Sequence, residues 1–208
     1  TLKLARRDEE FSIRLSGIRG DLMNSRMHGS EDALAELGCS RLNGVENSRV
    51  LVGGLGMGFT LAAALSAVTS TSEVIVAELI PEVVEWNRGP LGKCAGQPLN
   101  DLRTVISIGD VADLVTDKDS GFDAILLDVD NGPEGLTHAD NNWLYSPEGI
   151  AALFRALRPE GTLAVWSAGP DPVFLTRLKK AKFHASTRTA RARPGKGSRH
   201  TIWLAQKL

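Results

Sequence analysis

Val50-Leu-Val-Gly-Gly-Leu-Gly-Met-Gly58 carries an apolar run straight into a glycine-rich turn, and Leu61-Ala-Ala-Ala-Leu65 continues it with helical character. Without side chains, glycines let a backbone approach a ligand, and the helix that follows offers unpaired N–H groups at its positive end. Twenty positions after Gly58, a second apolar run, Val74-Ile-Val-Ala77, ends in Glu78. A carboxylate there can accept hydrogen bonds from both hydroxyls of a ribose, as in dinucleotide-binding folds. A glycine turn alone is also what any tight strand-to-helix connection needs. Joined to Glu78, it points to a bound nucleoside. The spacing Gly54-x-Gly56-x-Gly58 is one residue tighter than the dinucleotide fingerprint, which argues against NAD.

On either side of this stretch, β-rich apolar runs at 50–53, 74–77, 104–108, 124–127 and 162–166 alternate with helix-like segments at about 58–69, 81–88, 111–116 and 147–157. Such alternation predicts an α/β fold, a Rossmann-like doubly wound sheet that is mostly parallel. The strands near Val50, Val74, Ile125 and Leu163 are almost wholly apolar, as strands covered on both faces must be. Ahead of them, Phe11–Leu15 and Asp21–Asn24 flank Ser16-Gly17 and Gly20 and predict a β-hairpin, followed by a helix from Ser30 to Gly38. After a segment near 172–180, the runs 183–189 and 200–205 predict a C-terminal antiparallel hairpin around the basic loop Arg191–Gly197. The expected organisation is an N-terminal extension, 1–48, and a nucleoside-binding domain, 49–208.

Two further run ends carry acids. Gly109-Asp110-Val111 places a carboxylate where ligands of open α/β sheets sit, able to accept from an exocyclic amine such as the adenine N6. Asp110 is equally placed to cap the helix starting at Val111, and the two roles are compatible. Asp128-Val-Asp130-Asn-Gly-Pro133 then follows the fourth run. If the chain stays extended there, Asp128 and Asp130 point the same way, and their repulsion favours a cation beside them. The plainer alternative is an Asx-type turn before Gly132-Pro133.

Composition bounds the rest. The 208 residues suit one α/β domain, and 42% hydrophobic with 24% charged residues is ordinary for a globular chain. The 24 Lys and Arg nearly balance 25 Asp and Glu, so any charge-driven partner must use a local patch. Cys39 and Cys94 lack metal-ligand spacing and are too few for a disulfide framework; buried thiols in a reducing, cytoplasmic compartment are expected. The longest apolar stretch, near Leu61–Val68, is well short of the roughly 20 residues that span a bilayer, and no signal-peptide pattern opens the chain at Thr1.

These residues resemble the spermidine and spermine synthase family, within the class I S-adenosylmethionine-dependent methyltransferase fold. Arg26-Met-His28 with Glu31 is similar to the family's segment ahead of the nucleotide-binding domain, Val52–Gly58 to its glycine loop, and Leu144-Tyr-Ser-Pro-Glu148 to the segment entering its next helix. Glu78, Gly109-Asp110 and Asp128 match its ribose, adenine and catalytic acid positions. The resemblance implies transfer of an aminopropyl (or other alkyl) group from decarboxylated S-adenosylmethionine or S-adenosylmethionine to an amine acceptor, without a metal, in a homodimer. It assigns catalysis to Asp128 and Asp130, and donor binding to Gly53, Gly54, Gly56, Gly58, Glu78, Leu79, Gly109, Asp110, Val111 and Asp128. Acceptor contacts fall to His28, Asn131, Trp143 and Tyr145. Leu55 and Met57 stand where the family's loop carries an acid, Asn131 holds the place of its second catalytic acid, and the N-terminal region is shorter.

His28, His138, His184 and His200 are scattered without metal spacing or a nucleophile motif nearby. Most tryptophans suit a core or a pocket wall, but Trp143 follows the Asp128 turn and could face a cation. The cluster Arg188, Arg191, Arg193, Lys196, Arg199 reads foremost as a solvated hairpin tip, with nucleic-acid phosphates the lesser possibility. A methyltransferase using the same pocket, and a non-catalytic nucleoside-binding domain, are the alternative functions.

Overall fold

A computed structural model describes residues 2–17, 20–117, 121–129, 143–193 and 196–208. Five parallel strands carry the fold: β4 (Arg49–Gly53), β5 (Glu73–Glu78), β6 (Thr104–Ile108), β7 (Phe122–Leu127) and β8 (Leu157–Ser167). With β9 (His184–Arg193) and β10 (Lys196–Gln206) added antiparallel, the order is β6-β5-β4-β7-β8-β10-β9. Successive connections leave β4 toward β5 and later return to its other side at β7. The crevice outside the carboxyl ends of β4 and β7 is therefore the topological switch point where such sheets bind ligands.

The all-apolar strands divide their side chains by the two-residue period. Val50, Val52, Ala124 and Leu126 face a core made with α1 (Gly29–Gly38), α2 (Phe59–Ala67) and α3 (Pro81–Arg88). Leu51, Ile125, Leu127 and Leu163 face the opposite core, made with α4 (Val111–Thr116), α5 (Pro147–Ala156) and α6 (Pro172–Lys180). Trp203 of β10 is fully buried there, edge-on to Phe174 of α6 at 4.9 Å.

The N-terminal extension is a three-stranded antiparallel sheet, β1 (Leu2–Arg7), β2 (Glu10–Leu15) and β3 (Met23–Asn24), where the sequence predicts a two-stranded hairpin. Leu2–Arg7 escapes the pattern because it ends in two arginines and its residues are at most half-buried. This sheet closes over the glycine loop through a small core of Phe11, Ile13, Met57, Phe59 and Leu91. Cys39 is buried and its thiol is pushed up to about 12 by that burial. Cys94, expected to be buried, is half-exposed. No helix among the described residues is long and apolar enough to cross a membrane.

Candidate active site

The glycine loop leaves β4 clamped between its neighbours. The Asp128 amide donates to the Gly53 carbonyl (2.8 Å), and the Gly54 amide donates to the Ala77 carbonyl (2.9 Å). Gly54 has φ +88°, and a Cβ there would run into the Asp128 carbonyl oxygen, so this position requires glycine on both counts. Leu55 and Met57 of the same loop are buried in separate apolar cores.

Glu78 ends β5 almost fully buried. Its Oε2 accepts from the Leu55 amide and its Oε1 from the Ile80 amide, both at 2.9 Å. The carboxylate thus ties the glycine loop to the turn entering α3. Each oxygen retains acceptor capacity for a further donor. Asp110 ends the β6 connection and caps α4 by accepting from the Ala112 amide (2.8 Å), so the capping reading is realised.

These groups open onto one cavity of about 660 Å³. Gly54, Gly56, Glu78, Leu79, Gly109, Asp110 and Val111 line it, together with Asp128 and Glu31. The Thr60 hydroxyl donates to Asp128 Oδ2 (2.7 Å), and the Ser30 hydroxyl donates to Glu31 Oε2 (2.6 Å). Burial pushes the Asp128 carboxyl up to about 7, with the Glu31 charge adding to the rise and the Thr60 hydroxyl opposing it. Burial likewise raises Glu31, against the Ser30 hydroxyl. A carboxyl whose ionisation is opposed by burial and by a neighbouring acid is favoured in its charged form by a cation beside it.

One consequence is measurable without substrate. An unfolded Asp128 loses its proton near its ordinary 3.8 while the folded one holds it to about 7, so between these values the folded chain binds more protons. This group's contribution to stability therefore falls as pH rises from about 4 to 7. Asp128→Asn removes the buried charge and is expected to raise the melting temperature at pH 8, equivalent to about 1 kcal/mol or more, with little change at pH 4. Parallel thermal melts at the two pH values check it, and an equal shift at both would contradict the buried charge.

The acceptor residues expected from the resemblance are dispersed. His28 does not line the cavity; its Nδ1 pairs with Asp32 Oδ2 at 2.7 Å and its ring stacks on Phe59 at 4.2 Å. Tyr145 is buried edge-on to Phe174, and half-buried Trp143 packs on the same core. Asp130 and Asn131 lie outside the described residues. Sequence reasoning names Glu31 only within the segment that resembles the family's and gives it no chemical role, and it assigns none to Trp166 at the end of β8 or His200 of β10, which line the cavity and stack at 4.8 Å. Trp166 carries a usable signal, because it stands at the carboxyl end of a parallel strand as Glu78 and Asp128 do. His200 carries none; its place depends on the antiparallel pairing of β10 with β8. Met23 and Met27 of the N-terminal region also line the cavity, and a Cβ at Gly56 would meet the Met23 thioether.

A family model described as the spermine/spermidine synthase domain matches residues 27–181. Among solved structures, a spermidine synthase in complex with the transition state analogue AdoDATO is similar with a TM-score of 0.74 at 20% identity, covering 99% of this chain and 73% of that one. Spermidine synthase from Thermotoga maritima gives 0.73 at 20% identity over 99% and 72%. The O-methyltransferase TomG from Streptomyces achromogenes, in complex with SAM, gives 0.57 at 15% identity over 86% and 80%. No curated protein matches the chain.

Proposed function

Because the chain belongs to the spermine/spermidine synthase domain family, we propose that its cavity binds an S-adenosylmethionine-type donor, decarboxylated in the favoured case, and transfers the aminopropyl group to an amine. The observation that carries this reading is the convergence of three acids, Glu78, Asp110 and Asp128, from consecutive parallel connections on one cavity beside the glycine loop. Glu78 would accept from the ribose hydroxyls and Asp110 from the adenine amine, while Gly54 and Gly56 leave room for close backbone approach. Leu79, half-exposed on the cavity wall, offers an apolar surface to the base.

Asp128 and Glu31, which line the same cavity, would receive the acceptor as an ammonium ion. An ammonium cannot attack, so a carboxylate must first take one proton. The freed nitrogen lone pair forms the new C–N bond as the C–S bond breaks, its electrons returning to sulfur to leave neutral methylthioadenosine. The product amine keeps its remaining protons, and the carboxylate releases the one it took. A carboxyl raised to about 7 is matched to that exchange at neutral pH.

Calorimetric titration tests the donor half of this reading. Methylthioadenosine and decarboxylated S-adenosylmethionine are expected to bind, and more tightly than ordinary S-adenosylmethionine, whose carboxylate would enter beside Asp128 and Glu31. Tighter binding of the ordinary donor would favour methyl transfer instead.

A further inference from the structure

Ten of the chain's 24 lysines and arginines fall within residues 172–208, a stretch with no Asp or Glu, whereas residues 1–171 hold 14 cations and all 25 acids. The near-zero net charge therefore conceals a strongly basic segment on an acidic remainder, the kind of asymmetry that attracts polyanions. In the fold this segment is α6, β10 and the edge strand β9.

Three of the strand-borne arginines share one face of the hairpin. Ala185 packs with Phe174 and Leu178 of α6, and by strand alternation Arg191 and Arg193 project from that same face of β9. Arg199 is the direct cross-strand partner of Arg191, so two like charges stand opposite each other, an arrangement that costs stability unless something neutralises it. Lys179, Lys180 and Lys182 are exposed at the end of α6. The nine ion pairs found among the described residues all lie between Arg6 and Glu160, and none includes these lysines or Arg188, Arg191, Arg193 or Arg199.

We propose that the exposed face of β9 and β10, with the end of α6, binds the phosphodiester backbone of a nucleic acid. Arginine's planar fork matches phosphate oxygens, and the strand-borne arginines are the centre of the patch. Among the described residues of 172–208 the exposed large apolar side chains are Val173, at the start of α6, and Leu208, two single positions rather than the apolar face that seats a protein in a lipid interface. The opposite side of the same hairpin supplies Ala192, Ser198 and His200 to the cavity wall, which places a bound strand alongside the cavity. This surface stands independently of the proposed transfer reaction. It also gives the arginine cluster a different role from the solvated tip expected of the sequence.

The test is fluorescence anisotropy of the full chain with a labelled single-stranded RNA oligonucleotide, the same sequence as DNA, and phosphatidylserine vesicles as a non-nucleic polyanion. Binding of an oligonucleotide is expected at low salt, with affinity falling linearly on a log–log salt plot. The variant Arg191→Ser/Arg193→Ser/Arg199→Ser should bind about tenfold more weakly or worse, and its salt slope should be shallower by roughly 0.7–0.9 for each phosphate left without a cation. Its affinity for methylthioadenosine should be unchanged, since none of the three arginines lines the cavity. Lys179→Ser/Lys180→Ser/Lys182→Ser on the surface of α6 gives a second variant, expected to weaken binding in the same direction. Comparison of RNA with DNA tells which backbone is preferred. No oligonucleotide binding by the parent at low salt, undiminished binding by both variants, or binding to vesicles alone would overturn the proposal.

Discussion

Asp128→Asn is expected to cut turnover with an amine acceptor by roughly 10²–10⁴-fold, the usual worth of a positioned general base. The substitution preserves size and can still accept from the Thr60 hydroxyl, so the site's shape should survive. What it removes is the capacity to take a proton and the negative charge that, in the proposed reaction, would hold an ammonium. In the parent, kcat/KM should rise with pH through a limb near 7, reflecting the raised Asp128 carboxyl. Glu31→Gln should move that limb to lower pH, because burial remains but the neighbouring charge is gone. Methylthioadenosine affinity should change far less than turnover in Asp128→Asn, which separates chemistry from donor binding. A variant that turns over at the parent rate would remove Asp128 from the mechanism.

Glu78→Ala should weaken methylthioadenosine binding by about 1.5–3 kcal/mol, the range for hydrogen bonds to a charged group. The loss has two sources. The ribose hydroxyls lose their acceptor, and the amides of Leu55 and Ile80 lose theirs, so the glycine loop and the start of α3 are no longer tied together. Glu78→Gln distinguishes the two, since its single carbonyl oxygen can serve only part of the same set. Calorimetry on folded variants checks both, and an unchanged affinity in Glu78→Ala would remove the nucleoside assignment.

The parallel sheet is legible because its strands are apolar on both faces and are punctuated by glycine and acid at their carboxyl ends. Val50–Gly58 and Val74–Glu78 alone locate the crevice, and the clamp of the loop between Ala77 and Asp128 supplies its physical reason. What the sequence conceals depends on contacts distant along the chain. Met23 reaches the cavity because a three-stranded sheet folds over the loop, and His200 because β10 pairs antiparallel with β8. Glu31 has the appearance of a first-turn helix acid; only the fold brings it near enough to Asp128 to raise that carboxyl. Conversely, Tyr145 stands in a stretch that resembles the family's, yet its ring is packed against Phe174 rather than along the cavity.

Mass spectrometry of the products formed from a diamine and either decarboxylated or ordinary S-adenosylmethionine decides whether the chain transfers an aminopropyl group. An aminopropylated amine together with methylthioadenosine is expected from the decarboxylated donor, and no methylated amine from the ordinary one. A methylated product with S-adenosylhomocysteine, or no product from either donor across a range of amines, would contradict aminopropyl transfer.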